Sequence, residues 1–145
     1  MGYYMSCGEI VYSSTYMYWN TVRHHIMFCF FEYLNSIVST NDQTNIMLNF
    51  INEMDSMKKN DVLLSFLNVY DNYSVFFENL NLDGIFIFLN KSDCDGYYSV
   101  SDCKKIFDLL TIIYSTINSR YKSDVDTIMK IYKISVITDT SVVIS

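Results

Sequence analysis

The chain of 145 residues contains no alanine and no proline, only two arginines and four glycines. All four types use GC-rich codons, while Asn, Ile, Tyr, Lys and Phe are plentiful, so the shortage is the imprint of an AT-rich genome rather than a property of the fold. No Pro-, Gly- or Ser-rich stretch divides the chain, and neither an internal repeat nor a low-complexity tract is present, which predicts one domain. Cysteine is confined to positions 7, 29, 94 and 103, with no C-x-x-C pair and no opening signal of basic residues followed by an apolar run. Reduced thiols and a cytoplasmic location are expected from this. The longest strongly apolar stretches, Ile26 to Phe31 and Gly84 to Leu89, fall far short of the ~20 residues that a bilayer-spanning helix needs, so no transmembrane segment is expected. Positive charge is sparse as well. The net charge is −6, and the only basic clusters are Arg23-His24-His25, Lys58-Lys59 and Lys104-Lys105, which argues against a nucleic-acid partner.

What is abundant is large apolar volume. Half of the residues are apolar, among them 13 Tyr, 10 Phe and 8 Met, a content that excludes a disordered chain and supports a real core. Ile46, Met47, Phe50, Ile51, Met54 and Met57 recur at helical spacing behind Thr44-Asn45. Asn60-Asp61 opens a second helix running to about Asn79, with Val62, Leu63, Phe66, Leu67, Tyr70, Tyr73, Phe77 and Leu80 on one stripe. A third begins at Ser99 to Asp102, a capping box with the shorter acid, and carries Cys103, Ile106, Phe107, Leu110, Ile113, Tyr114 and Ile117. A short helix from Ser123 carries Val125, Ile128, Met129 and Tyr132. Residues from about Ile10 to Ile37 read as helix with a break near Trp19 to Arg23, although Tyr12 to Trp19 has strand propensity. The β-branched tail from Ile134 to Ile144 reads as a strand or a disordered tail. The expected architecture is all-α, a single helical bundle over residues 1–133 with a C-terminal tail over 134–145.

Several segments carry candidate chemistry. Asp93, Asp95, Gly96, Ser99 and Asp102 fall on positions 3, 5, 6, 9 and 12 of an EF-hand calcium loop starting at Lys91. Lys91 puts a cation where the first carboxylate belongs, Asp102 is shorter than the usual Glu, and no second loop exists. A polar turn with a helix cap is the competing reading, and no metal or other cofactor is expected. His24 and His25 are adjacent, about 100° apart on a helix, and cannot grip one metal from one face. Cys29 with either histidine has the composition of a nucleophile and base, but no oxyanion loop accompanies it, so a core cysteine is the plainer reading and no catalytic residue is assigned. Met1-Gly2-Tyr3-Tyr4-Met5-Ser6 fits the minimal myristoylation pattern with Cys7 as a second acyl site, yet Tyr3 is bulky for that pattern. Asn72-Tyr73-Ser74 and Asn90-Lys91-Ser92 match the glycosylation acceptor tripeptide, which chance readily supplies in an Asn-rich chain.

Tyr16-Met17-Tyr18-Trp19-Asn20 resembles the aromatic signature in the first helix of the Bcl-2-like immune-evasion proteins of poxviruses. Leu63-Leu64-Ser65-Phe66 through Asp71 to Phe77 resembles a later helix of that family, and Ile106 to Tyr121 its closing amphipathic helix. The resemblance implies a Bcl-2-like helical fold and a non-enzymatic viral protein in the cytoplasm of an infected cell. It implies binding of host signalling proteins, blunting NF-κB or interferon induction, or sequestration of pro-apoptotic helices in a groove. Tyr16, Tyr18 and Trp19 are the expected partner-binding residues, because exposed aromatics serve as interface anchors. Nothing in the sequence excludes a homodimer.

Overall fold

The computed structural model describes residues 2–38, 44–56, 61–91 and 96–145, apart from the side chains of Thr44 and Lys91. The chain opens with two strands, β1 (Gly2–Cys7) and β2 (Ile10–Thr15), followed by helices α1 (Tyr16–Ile37), α2 (Thr44–Ser56), α3 (Val62–Tyr70), α4 (Ser74–Asn79) and α5 (Gly84–Lys91). A short strand β3 (Gly96–Tyr98) leads into α6 (Val100–Ile113), α7 (Ser119–Thr138) and a closing strand β4 (Val142–Ile144). The four strands form one antiparallel sheet in the order β2-β1-β4-β3.

That sheet overturns the all-α, Bcl-2-like expectation. Residues 10–15 are not the start of a long helix but the second arm of a hairpin, in unbroken register from Cys7 opposite Ile10 to Gly2 opposite Thr15. Gly8 holds the first of the two loop positions with φ +59°, the conformation a II′ hairpin turn requires there and one that side chains resist. Tyr3, Met5 and Cys7 are buried while Gly2 and Tyr4 are exposed, the period-two pattern of a strand with one face on a core. The C-terminal residues are built into the structure: residues 134–138 complete α7, and β4 lies between β1 and β3 with Val142 and Ile144 buried.

The helical predictions fare better. Asp61 caps α3 by accepting from the Leu64 N–H at 3.0 Å. The helix expected over 60–79 breaks, because residues Asp71–Tyr73 form a tight 3-10 turn between α3 and α4. Ser99 caps α6, its Oγ accepting from the Asp102 N–H at 3.1 Å. The helix expected from Ser123 starts a turn earlier, where Asn118 caps α7 by accepting from Arg120 N–H at 2.9 Å. Met57 and Asn60 lie outside the described residues.

One continuous core unites these elements. Around α1 to α5 it is aromatic, with Phe50 and Phe66 edge to face at 6.1 Å and Tyr70 stacked on Phe86 at 4.7 Å, arrangements that add to plain area burial. Gly84 brings α5 against α6, since a Cβ there would stand 2.3 Å from the Lys105 carbonyl oxygen. Beside it, the largely buried Asp83 pairs with the Lys105 ammonium at 2.5 Å. The helices α6 and α7, joined by a short connection, pack as an antiparallel pair beside the sheet.

Candidate functional site

The structure separates the three aromatics that the sequence places in one interface. Trp19 is fully buried (0% exposed), stacked on Tyr3 at 4.1 Å between ring centroids and edge-on to Phe88 at 5.8 Å. A ring so enclosed anchors the sheet to α1 and cannot meet a partner. Tyr18 is half-buried and its hydroxyl donates to Asp124 Oδ2 at 2.8 Å, while Tyr12 donates to Oδ1 of the same carboxylate at 3.1 Å. The hydrogen bond to Asp124 raises the Tyr18 phenol above its ordinary value. Tyr16 alone remains accessible, 41% exposed at the start of α1.

Of the calcium-loop candidates, Asp93 and Asp95 lie outside the described residues, and Asp102 sits in the first turn of α6. Among the described residues no group of carboxylates, cysteines and histidines is placed to hold a metal ion.

Cys29 and His25 do meet, Sγ lying 3.4 Å from Nε2. Their surroundings suit structure rather than catalysis. His25 Nε2 accepts the Asn118 N–H at 3.0 Å, and the Cys29 thiol donates to the Thr116 carbonyl at 3.4 Å. Burial pushes the Cys29 thiol up and holds the His25 imidazole below its ordinary value, so the pair is a neutral thiol beside a neutral ring, the reverse of an activated nucleophile. Together they fasten α1 to the connection between α6 and α7. His24 turns away, its Nδ1 bonding the Asn20 carbonyl at 2.8 Å. Cys7, named as a second acylation site, is buried.

An open groove lies between α6 and α7. Phe107 and Thr111 of α6 and Tyr114 in the 3-10 turn that follows it form one ridge, and Asp126, Met129, Lys130 and Lys133 the facing ridge of α7, lining a groove of 390 Å³. Spacings of three and four residues put each set on one helix face. The half-buried Phe107 ring and Met129 thioether give an apolar floor. One end is set by Tyr114, whose hydroxyl donates to Asp126 at 2.6 Å and whose ring lies 5.0 Å from the Lys122 ammonium. The bond to Asp126 raises the Tyr114 phenol. Along the rim, the exposed Lys130 and Lys133 make no ion pair among the described residues.

Charge is distributed unevenly about this groove. Residues 100–138 carry six cations, Lys104, Lys105, Arg120, Lys122, Lys130 and Lys133, against four carboxylates, Asp102, Asp108, Asp124 and Asp126. The net +2 of this segment leaves −8 on the remainder of a chain whose total is −6. The imbalance is visible in the sequence, but the groove is not, because it depends on which face of α6 meets which face of α7.

Among the described residues no helix is long and apolar enough to cross a membrane. No family model, curated protein or solved structure matches this chain.

Proposed function

We propose that this protein is a non-enzymatic binding module whose α6–α7 groove receives an acidic amphipathic helix of another protein. The observation that carries the reading is the apolar floor of Phe107 and Met129 beside Lys130 and Lys133, two cations without an ion-pair partner among the described residues. A helix laid in a groove reads it through apolar side chains at i, i+3, i+4 and i+7. The span from Phe107 to Tyr114, at 1.5 Å per residue, is about 10 Å, room for roughly two turns of such a helix. Carboxylates flanking the apolar stripe would meet the lysines, and these rim charges contribute chiefly to association rate and selectivity. The floor is small, so affinity is modest and falls with salt.

The partner implied by the resemblance, a host innate-immune signalling protein, rested on a helical bundle that the sheet overturns. The chemistry of the groove supports an acidic helix as the partner.

The test uses a fluorescent synthetic helix with Leu at i, i+3, i+4 and i+7 and Glu beside the stripe, compared with a copy carrying Lys for Glu. Fluorescence polarisation is expected to show binding of the acidic copy alone, weakening with salt, with NMR shifts gathered at Phe107, Met129, Lys130 and Lys133. Equal binding of both copies, or shifts elsewhere, would refute the reading.

A further inference from the structure

The two ends of the α6–α7 groove differ, and the difference gives the groove a direction. On α7, Lys122, Asp126, Lys130, Lys133 and Ile137 follow one another at spacings of three and four residues, which places them along one side of the helix. At the Tyr114 end the charges offset. The Lys122 ammonium lies 5.0 Å from the Tyr114 ring, and the Asp126 carboxylate accepts the Tyr114 hydroxyl at 2.6 Å. At the Phe107 end they do not. Lys104, one turn before Phe107, is paired with Asp108 at 3.5 Å, but Lys130 and Lys133 make no ion pair among the described residues. The groove therefore passes from no net charge, Lys122 against Asp126, to the two uncompensated charges of Lys130 and Lys133.

The positive end also carries an apolar side chain outside the core. Ile137 stands one turn beyond Lys133 and is 70% exposed, whereas Ile128, Ile131 and Tyr132 on the opposite side of α7 are fully buried. From Asp126 to Ile137, at 1.5 Å per residue, is about 16 Å, or roughly three helical turns. The apolar floor of Phe107 and Met129 is thus prolonged at one end only.

A bound helix is itself polar, with about half a positive charge at its N-terminus and half a negative charge at its C-terminus. The dipoles of α6 and α7 oppose each other in the antiparallel pair, so the side chains decide which way a third helix lies. We infer that the acidic helix lies parallel to α7, its N-terminal turn over Tyr114 and Asp126 and its C-terminal turn against Lys133 and Ile137. Ile137 then meets an apolar residue at i+11 of the partner, beyond the stripe at i, i+3, i+4 and i+7, and carboxylates in the partner's C-terminal half meet Lys130 and Lys133. This orientation rests on the groove being the receptor for an acidic helix, and adds the direction of that helix and a residue that sets its length.

The test lengthens the acidic synthetic helix to carry Leu at i+11 and places a nitroxide at one end or the other. In NMR spectra of the full chain, the C-terminal label is expected to broaden the amide signals of Lys133 and Ile137, and the N-terminal label those of Tyr114 and Asp126. In fluorescence polarisation, a copy with Gln in place of the Leu at i+11 is expected to bind wild type about threefold or more weakly, because apolar contact area is lost. Ile137→Ser is expected to bind the two copies equally. Should that variant fail to fold by circular dichroism, the nitroxide pattern on wild type carries the test. Reversed broadening, or broadening of both ends by each label, would overturn the orientation while leaving the groove a helix receptor. Equal binding of the Leu and Gln copies by wild type would overturn the role of Ile137, as would an unchanged difference between them in Ile137→Ser. A helix that does not bind at all would overturn both the receptor and its direction.

Discussion

Asp124 and Asp126 lie two residues apart on α7, the first accepting two tyrosine hydroxyls and the second one, yet they serve opposite kinds of place. Asp124 receives Tyr12 and Tyr18 and ties α7 to β2 and α1 beside the buried Trp19. Asp126 receives Tyr114 at the end of an open groove, with Lys130 and Lys133 left without an ion pair among the described residues. Two residues along a helix turn the side chain through about 200°, so one helix fastens the sheet on one side and presents a surface on the other. The enclosed aromatics belong to the fold's stability, whereas the apolar residues beside lysines that have no ion pair among the described residues form the surface proposed for recognition.

The sharpest way to break that distinction is to remove Trp19. Trp19→Ala is expected to cost about 3–5 kcal/mol in chemical denaturation, because it deletes a ring enclosed by Tyr3, Tyr12 and Phe88 and leaves a cavity. Tyr16→Ala, at an exposed site on the same turn, should stay within about 0.5 kcal/mol of wild type. A Trp19 variant with unchanged stability would return that ring to the surface. Next in size is Asp124→Ala, which leaves the Tyr12 and Tyr18 hydroxyls without their acceptor and is expected to cost about 1.5–3 kcal/mol in the same measurement. Asp126→Ala, whose tyrosine is reachable by water, should cost clearly less.

The unequal legibility of the two regions in the sequence has a physical source. Ser99, Asp102, Ile106, Leu110 and Ile113 announce α6 because a helix is a local structure, its cap and its stripe both written within a few turns. The sheet is not local: β1 finds β4 across nearly the whole chain, and β4 has only three residues. The alternation of Tyr3, Met5 and Cys7 ahead of Gly8 is a strand signal, but none of these three residues is β-branched, and continuity with His24 to Ile37, too densely apolar for clean alternation, extends the predicted helix back over β2. Missing β1 also misplaced Trp19, since the ring that covers it belongs to Tyr3. Lys130 and Lys133 read as ordinary solvated charges until α6 sets Phe107 beside them.

On the recognition side, Lys130→Glu with Lys133→Glu is expected to leave stability within about 0.5 kcal/mol, both side chains being exposed. Binding of the acidic synthetic helix should fall about tenfold or more, or about 1.4 kcal/mol by titration calorimetry. Loss of stability without loss of binding would make the lysines structural and dissolve the contrast with Trp19.

The smallest expected effect tests the link between the two regions. His25 sits on α1, stacks on Tyr121 at 4.6 Å, and accepts the Asn118 N–H that begins α7, a bond only an unprotonated Nε2 can make. Burial lowers its affinity for a proton below the value of 6.5 for a free histidine, against an opposing pull from Glu32. The unfolded chain therefore takes up this proton at higher pH than the folded chain does. The resulting stabilisation is fully present above about 6.5 and is lost as pH falls through that value toward the depressed folded-state value. Thermal melts followed by circular dichroism should show wild type losing stability from neutral pH into mild acid more steeply than His25→Gln, which has no proton to gain. Parallel melting profiles over that window would mean that the imidazole does not hold α1 to α7 in its neutral form.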